Sequence, residues 1–146
     1  MSQTQNKISV SPQGEAFPLP ELSDYAAEYE RVKALAEAAR ESGKEVVVVM
    51  GVGFVGAVMA AIVADCEGKD GQPSKFVIGC QRPSTRSYWK IPLLNRGVSP
   101  VKAEDPQVDL LIGRCVLEKK TLIATYNSQV LDLADCVVID VQCDFL

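Results

Sequence analysis

Three glycines, in Gly51-Val52-Gly53-Phe54-Val55-Gly56, stand at a spacing that can bind a ligand without any reactive side chain. In the pattern GxGxxG the first glycine permits a tight turn out of a strand, and the second lets backbone approach a pyrophosphate with no Cβ in the way. The third lets the following helix pack closely on the strand. Phosphates held there would rest on the unpaired N–H groups of a helix N-terminus, where the dipole favours negative charge. The competing reading is a glycine turn that shapes the chain and binds nothing. Context separates the two, because the phosphate site needs a strand before the glycines, a helix after them and a second strand beyond.

That context is present. Lys44-Glu45-Val46-Val47-Val48-Val49-Met50 is a β-branched run without alternation, the pattern of a strand covered on both faces of a parallel sheet. Ala57 to Cys66 is an apolar helical stretch, Glu67 to Pro73 a loop, and Lys75 to Cys80 a second buried strand. Strand, helix and strand in this order make a right-handed βαβ unit. The uncharged run from Val46 to Ala64 has the length of a membrane span, but its valines and fingerprint glycines fit strand, turn and helix better. Basic residues do not cluster on either flank, and no membrane partner is expected.

Ahead of this unit, residues 1–20 are polar and hold Pro12, Gly14, Pro18 and Pro20, which predicts an extended or mobile arm. Leu22, Tyr25, Ala26, Tyr29, Val32, Leu35, Ala36 and Ala39 recur at helical spacing, with Ser23 or Asp24 placed to cap the start and Gly43 the end. Beyond the second strand, Gln81 to Trp89 is polar and basic, and Ile91 to Pro106 holds too much Pro and Gly for a long element. Val108 to Ile112 predicts a turn or two of helix and Lys119 to Thr125 a short strand. A helical turn from Asn127 or Ser128 to Leu133 and a buried strand from Cys136 to Val141 follow. The expected fold is α/β: a Rossmann-type parallel sheet with helices on both faces, preceded by an amphipathic helix. Residues 1–42 form the arm and helix, and residues 43–146 the dinucleotide-binding domain.

Composition removes other chemistries. The chain has no histidine, so Ser/His/Asp triads, Cys/His dyads and the usual zinc sets are absent, and neither a catalytic residue nor a metal ligand is assigned. A net charge of −4 gives no basic footprint for nucleic acid. Cys66, Cys80, Cys115, Cys136 and Cys143 show no CxxC spacing and read as buried free thiols in a reducing cytoplasm. The N-terminus lacks the apolar stretch of an export signal, so a cytoplasmic location is expected.

The glycine turn, together with Leu94-Asn95-Arg96-Gly97-Val98-Ser99-Pro100 and the strand Ala134-Asp135-Cys136-Val137-Val138-Ile139, resembles the N-terminal domain of the UDP-glucose/GDP-mannose dehydrogenase family. The resemblance covers about residues 45–144. It implies NAD-dependent oxidation of a nucleotide sugar's C6 alcohol to a carboxylate, with the catalytic cysteine and its assisting lysine in later domains. No cysteine here matches that nucleophile, so the chain alone is expected to show no turnover. What the resemblance carries over is cofactor binding at Gly51, Gly53 and Gly56, with the backbone after Val52 nearest the pyrophosphate and Phe54 and Val55 opening the helix. A nucleotide-sugar substrate and a homo-oligomer are expected of the full-length protein. A standalone nucleotide-binding or regulatory module without turnover, and a dehydrogenase of another substrate, remain the alternatives.

Two positions depart from the family pattern. Where an acidic residue normally holds the adenosine ribose stands Gln81, and where a Pro-Thr-Pro-like turn lies beside the nicotinamide stand Gln142-Cys143-Asp144. A carboxylate after the second strand selects NAD by repelling a 2′-phosphate, whereas a neutral residue with arginine nearby accommodates one. Gln81 with Arg82 and Arg86 therefore leaves the cofactor as NAD or NADP, unless these arginines are merely solvated loop residues.

Overall fold

The computed structural model of the chain describes residues 7–102 and 104–140. Strands β1 (Ile8–Val10) and β2 (Ala16–Pro18) precede helix α1 (Tyr25–Glu41); β3 (Glu45–Met50), α2 (Phe54–Ala64) and β4 (Lys75–Cys80) follow. Then come α3 (Lys90–Asn95), α4 (Pro106–Gly113), β5 (Leu122–Thr125) and β6 (Cys136–Ile139). Four strands form one parallel sheet in the order β5-β4-β3-β6, with Val47 opposite both Val77 and Cys136. From β3 the chain moves outward through β4 to β5, then returns to the other side of β3 as β6. That reversal opens a crevice at the carboxyl ends of β3 and β6, the place where sheets of this kind bind ligands.

Both faces of β3 are covered, which explains its lack of polar alternation. Val47 and Val49 pack with Ala60, Ala61 and Ala64 of α2, Ile91 and Leu94 of α3, and Ile112 of α4. Val46 and Val48 pack with Val32, Ala36 and Ala39 of α1 and with Val130 and Leu133 from a 3-10 segment. The Rossmann-type sheet with helices on both faces is therefore present. The uncharged run from Val46 to Ala64 is divided between β3, the glycine turn and α2, and no described helix is long and apolar enough to cross a membrane.

Three expectations change. The strand from Cys136, expected to be buried, is the edge strand β6, with Val137 and Ile139 exposed because no further strand or helix covers them among the described residues. The polar N-terminal arm is, from Lys7 onward, an antiparallel hairpin of β1 and β2 docked on the domain. The Trp89 N–H donates to the buried Ser9 hydroxyl at 3.0 Å, Arg96 clasps the Glu15 carboxylate at 2.8 and 2.9 Å, and the Arg96 guanidinium covers the ring of buried Phe17. In the amphipathic helix, the side that packs runs through Tyr25, Tyr29, Val32, Ala36 and Ala39, while Leu22 and Leu35 face solvent. A 3-10 turn, Leu22–Asp24, opens the helix, with the Glu21 N–H donating to Asp24 at 2.8 Å. Gly43 closes it as expected, at φ +88°.

A cluster of charges clasps the end of α2. Arg114, in the π-helical turn that continues α4, donates to both Asp65 oxygens at 3.0 and 2.9 Å, and Lys119 lies 2.9 Å from the same carboxylate. These cations set themselves against a carboxylate near a helix C-terminus, where the dipole would otherwise disfavour it. Chiefly through the Arg114 hydrogen bonds, the Asp65 carboxyl is lowered to about 2.

Two tests follow from this packing. Val32→Asp places an unpaired carboxylate at a fully buried position and should cost at least about 3 kcal/mol in urea unfolding, whereas Leu35→Asp should stay within about 0.5 kcal/mol. Equal effects would mean that α1 packs differently. Asp65→Asn should lower the melting temperature near neutral pH by about 2–4 °C, roughly 1 kcal/mol for an exposed pair. Because the folded carboxyl titrates below its unfolded value, this stabilisation is present above about pH 4 and fades as pH falls toward about 2. A melting difference that does not narrow across that window would refute the assignment.

Candidate functional site

The turn between β3 and α2 is built from three glycines with three different constraints. Gly51 has φ +100°, its N–H donates to the Cys80 carbonyl at 2.8 Å, and a Cβ there would stand 2.5 Å from the Asp140 carbonyl oxygen. A Cβ on Gly56 would lie 1.9 Å from the Gly51 carbonyl oxygen, so the first turn of α2 presses directly on the strand end. Gly53, the N-cap of α2, differs from both: a Cβ on it would meet nothing within 4 Å. Its side is the open one.

Between these glycines Val52 turns inward and is fully buried. It fits because residue 79 has no side chain, since a Cβ on Gly79 would stand 2.8 Å from Val52 Cγ1. The Val52 N–H donates to Oε1 of Gln81 at 3.0 Å, which ties the turn to the end of β4. On the other side, the Asp140 N–H donates to the Met50 carbonyl at 2.9 Å, extending the β6–β3 ladder and bringing Asp140 beside the turn.

A cleft of about 590 Å³ opens over this turn, lined by Met50, Gly51, Gly53, Phe54, Val55, Gln81, Lys90 and Asp140. Of the residues expected from sequence, Gly51, Gly53, Phe54, Val55 and Gln81 line it, while Val52 and Gly56 support it from beneath. Arg82 and Arg86 do not line it and are exposed. The reason is a turn that sequence reading treated as plain loop. The Ser84 and Ser87 hydroxyls bond at 2.7 Å, the Tyr88 N–H donates to the Ser84 carbonyl, and the chain winds through Arg86 before α3 begins. The cation delivered to the cleft is therefore Lys90, in the first turn of α3. Its placement depends on that wound turn, and no spacing rule marked it. Asp140 carried a weak signal, as the residue leaving the strand beside β3.

The site suits a pyrophosphate on structural grounds. The first turn of α2 has no side-chain cap, the Gly53 side is open, and the cleft lies at the sheet's reversal point. No thiol lines the cleft among the described residues. Burial pushes the Cys80 thiol up to about 11 and raises that of Cys115, so neither supplies a thiolate. Cys80 and Cys115 are buried free thiols as expected, but Cys66 and Cys136 are exposed. Cys143, with the Gln142-Cys143-Asp144 departure, lies outside the described residues.

The other motif residues are architectural. The Asn95 side chain accepts from the Ala124 N–H at 2.8 Å and donates to the Ala124 carbonyl at 3.0 Å, pinning α3 to the edge strand β5. Gly97 turns the chain at φ +80°, where a Cβ would strike Leu117. Asp135 accepts the Val46 N–H at 2.9 Å and an Arg40 hydrogen bond, which together hold its carboxyl below the usual range.

No protein-family model and no curated protein matches the chain. Among solved structures, the NDP-N-acetyl-D-galactosaminuronic acid dehydrogenase from Methanosarcina mazei Go1 matches with a TM-score of 0.62 and 31% identity, over 82% of this chain and 23% of that one. This chain thus spans about a quarter of the length of that enzyme. In motif residues and in fold, the chain resembles the nucleotide-binding domain of a dehydrogenase of the UDP-glucose/GDP-mannose dehydrogenase family.

Proposed function

We propose that the chain binds a nicotinamide dinucleotide, NAD or NADP, as the cofactor domain of a nucleotide-sugar 6-dehydrogenase that oxidises a UDP- or GDP-sugar alcohol to a carboxylate. The observation that carries the reading is the open side of Gly53 at the uncapped N-terminus of α2, facing a cleft of about 590 Å³. When bound, the cofactor supplies the hydride acceptor. This chain's own residues hold it. The first-turn N–H groups of α2 and the helix dipole receive the pyrophosphate, Gly53 lets it approach, and Gln81 keeps the turn in position through the Val52 N–H. The nucleotide-linked uronic acid in the name of the M. mazei enzyme, together with the Leu94–Pro100 segment, supports a nucleotide sugar as substrate class. Fold alone would not, because the same scaffold serves many reactions.

Substituting the glycines one at a time separates binding from folding. Gly53→Val adds a branched side chain in open space, so the protein should fold as before while dinucleotide affinity falls at least about tenfold, near 1.4 kcal/mol. Gly56→Val drives a side chain into the Gly51 carbonyl and should lose stability first. Calorimetric titration of NAD and NADP, paired with circular dichroism melting, reads both effects. A folded Gly53→Val protein that binds as the parent does would remove the phosphate site.

A further inference from the structure

The cleft has two chemically different ends. At the β4 end stand Gln81 and Lys90; at the β6 end stands Asp140; the glycine turn lies between them. In a sheet of this order the residue closing the strand after the glycine unit meets the adenosine ribose, and its chemistry decides whether a 2′-hydroxyl or a 2′-phosphate is accepted. Among the described residues, the charged or amide side chains lining the cleft at the β4 end are a cation and a neutral amide.

Gln81 does more than remove a negative charge. Its Oε1 already accepts the Val52 N–H at 3.0 Å, so what the amide has left for a ligand is its NH2 group, a donor. A carboxylate in that place could hold the turn with one oxygen and accept a ribose hydroxyl with the other. The amide instead offers a donor, which suits a phosphate oxygen. Lys90 is half-buried, lines the cleft and forms no ion pair among the described residues, its ammonium standing over the Trp89 ring at 5.8 Å from the centroid. An ammonium that lines the cleft without a carboxylate partner among the described residues is suited to pair with a dianionic phosphate.

We infer that the site selects NADP over NAD, with Lys90 as the specificity-determining cation for the 2′-phosphate and Gln81 as its donor partner. The inference rests on the dinucleotide reading above and deepens it. It also moves the cation from Arg82 and Arg86, which stand in solvent outside the cleft, to a residue that lines it.

The test is calorimetric titration of NADP and NAD into the 146-residue chain and into Lys90→Ala, Lys90→Arg and Gln81→Glu, each checked for folding by circular dichroism. The parent should bind NADP at least tenfold tighter than NAD. Lys90→Ala should lose about that factor for NADP while changing NAD less than twofold, Lys90→Arg should restore it, and Gln81→Glu should reverse the preference. Lys90→Met replaces the alanine variant should that one fail to fold. A parent that binds NAD as tightly as NADP, or a Lys90→Ala loss shared equally by both, overturns the 2′-phosphate assignment and leaves dinucleotide binding standing. A folded parent that binds neither overturns dinucleotide binding itself, and the assignment with it.

Discussion

The carbonyl oxygen of Gly51 lies where the Cβ of residue 56 would be, 1.9 Å from it, and the rest of the site depends on that contact. Because no side chain intervenes, α2 begins directly against the end of β3 and its unpaired N–H groups are delivered to the mouth of the crevice. The close approach continues along the helix through Ala57, Ala60, Ala61 and Ala64, all fully buried. Alanine at these positions gives little apolar area, so the larger hydrophobic contribution on this face comes from Ile91, Leu94, Ile112 and Leu122 around it. A seam of small residues thus fixes where the helix sits, and bulky residues beside it supply the stability.

That geometry holds only if β3 is fixed as well. Polar devices outside the cleft hold β3 and the sheet around it. Asp135 ties the Val46 amide of β3 to the start of β6, Arg40 joins the end of α1 to the same carboxylate and to the Leu133 carbonyl, and Asn95 pins the edge strand β5 through both backbone groups of Ala124. Asp135 and Asn95 satisfy backbone groups of the strands, and Arg40 satisfies a carbonyl at the end of the 3-10 segment before β6. Two of these residues belong to the segments that carry the family resemblance. Their chemistry here is that of joints, and neither lines the cleft over the glycine turn.

Strands β3 and β4 and the glycine turn were legible because local pattern and tertiary environment agree there: a fully covered strand needs an apolar run, and a turn at φ +100° needs glycine, whereas β6 carries the same apolar run at an exposed edge. The N-terminal hairpin was not legible. Pro12, Pro18 and Pro20 describe local chain preference, whereas the hairpin is held by contacts from Ser9, Glu15 and Phe17 to Trp89 and Arg96, some eighty residues away. Leu35 misled for a related reason, since helical spacing admits it to the stripe but the sheet takes Val32, Ala36 and Ala39. Lys90 stayed hidden because the Ser84–Ser87 turn sets which cation returns to the cleft, and that turn closes through hydroxyl bonds which composition does not reveal.

The charges that matter to an anionic ligand are those lining the cleft, because exposed groups beyond roughly 8 Å are largely screened at physiological ionic strength. The net charge of −4 therefore says little about the site. Within the cleft the balance is local: the positive end of α2 and Lys90 face Asp140, whose Oδ2 lies beside the first helical turn, 3.0 Å from the position a Gly56 Cβ would take. A carboxylate there disfavours phosphate on the β6 side and leaves the Gly53 side as the favourable seat. It also offers hydroxyl groups an acceptor at the end away from Lys90. On the proposed reading, this arrangement gives a bound dinucleotide a direction, with the half that carries the 2′-phosphate of NADP toward Lys90 and the nicotinamide half toward Asp140.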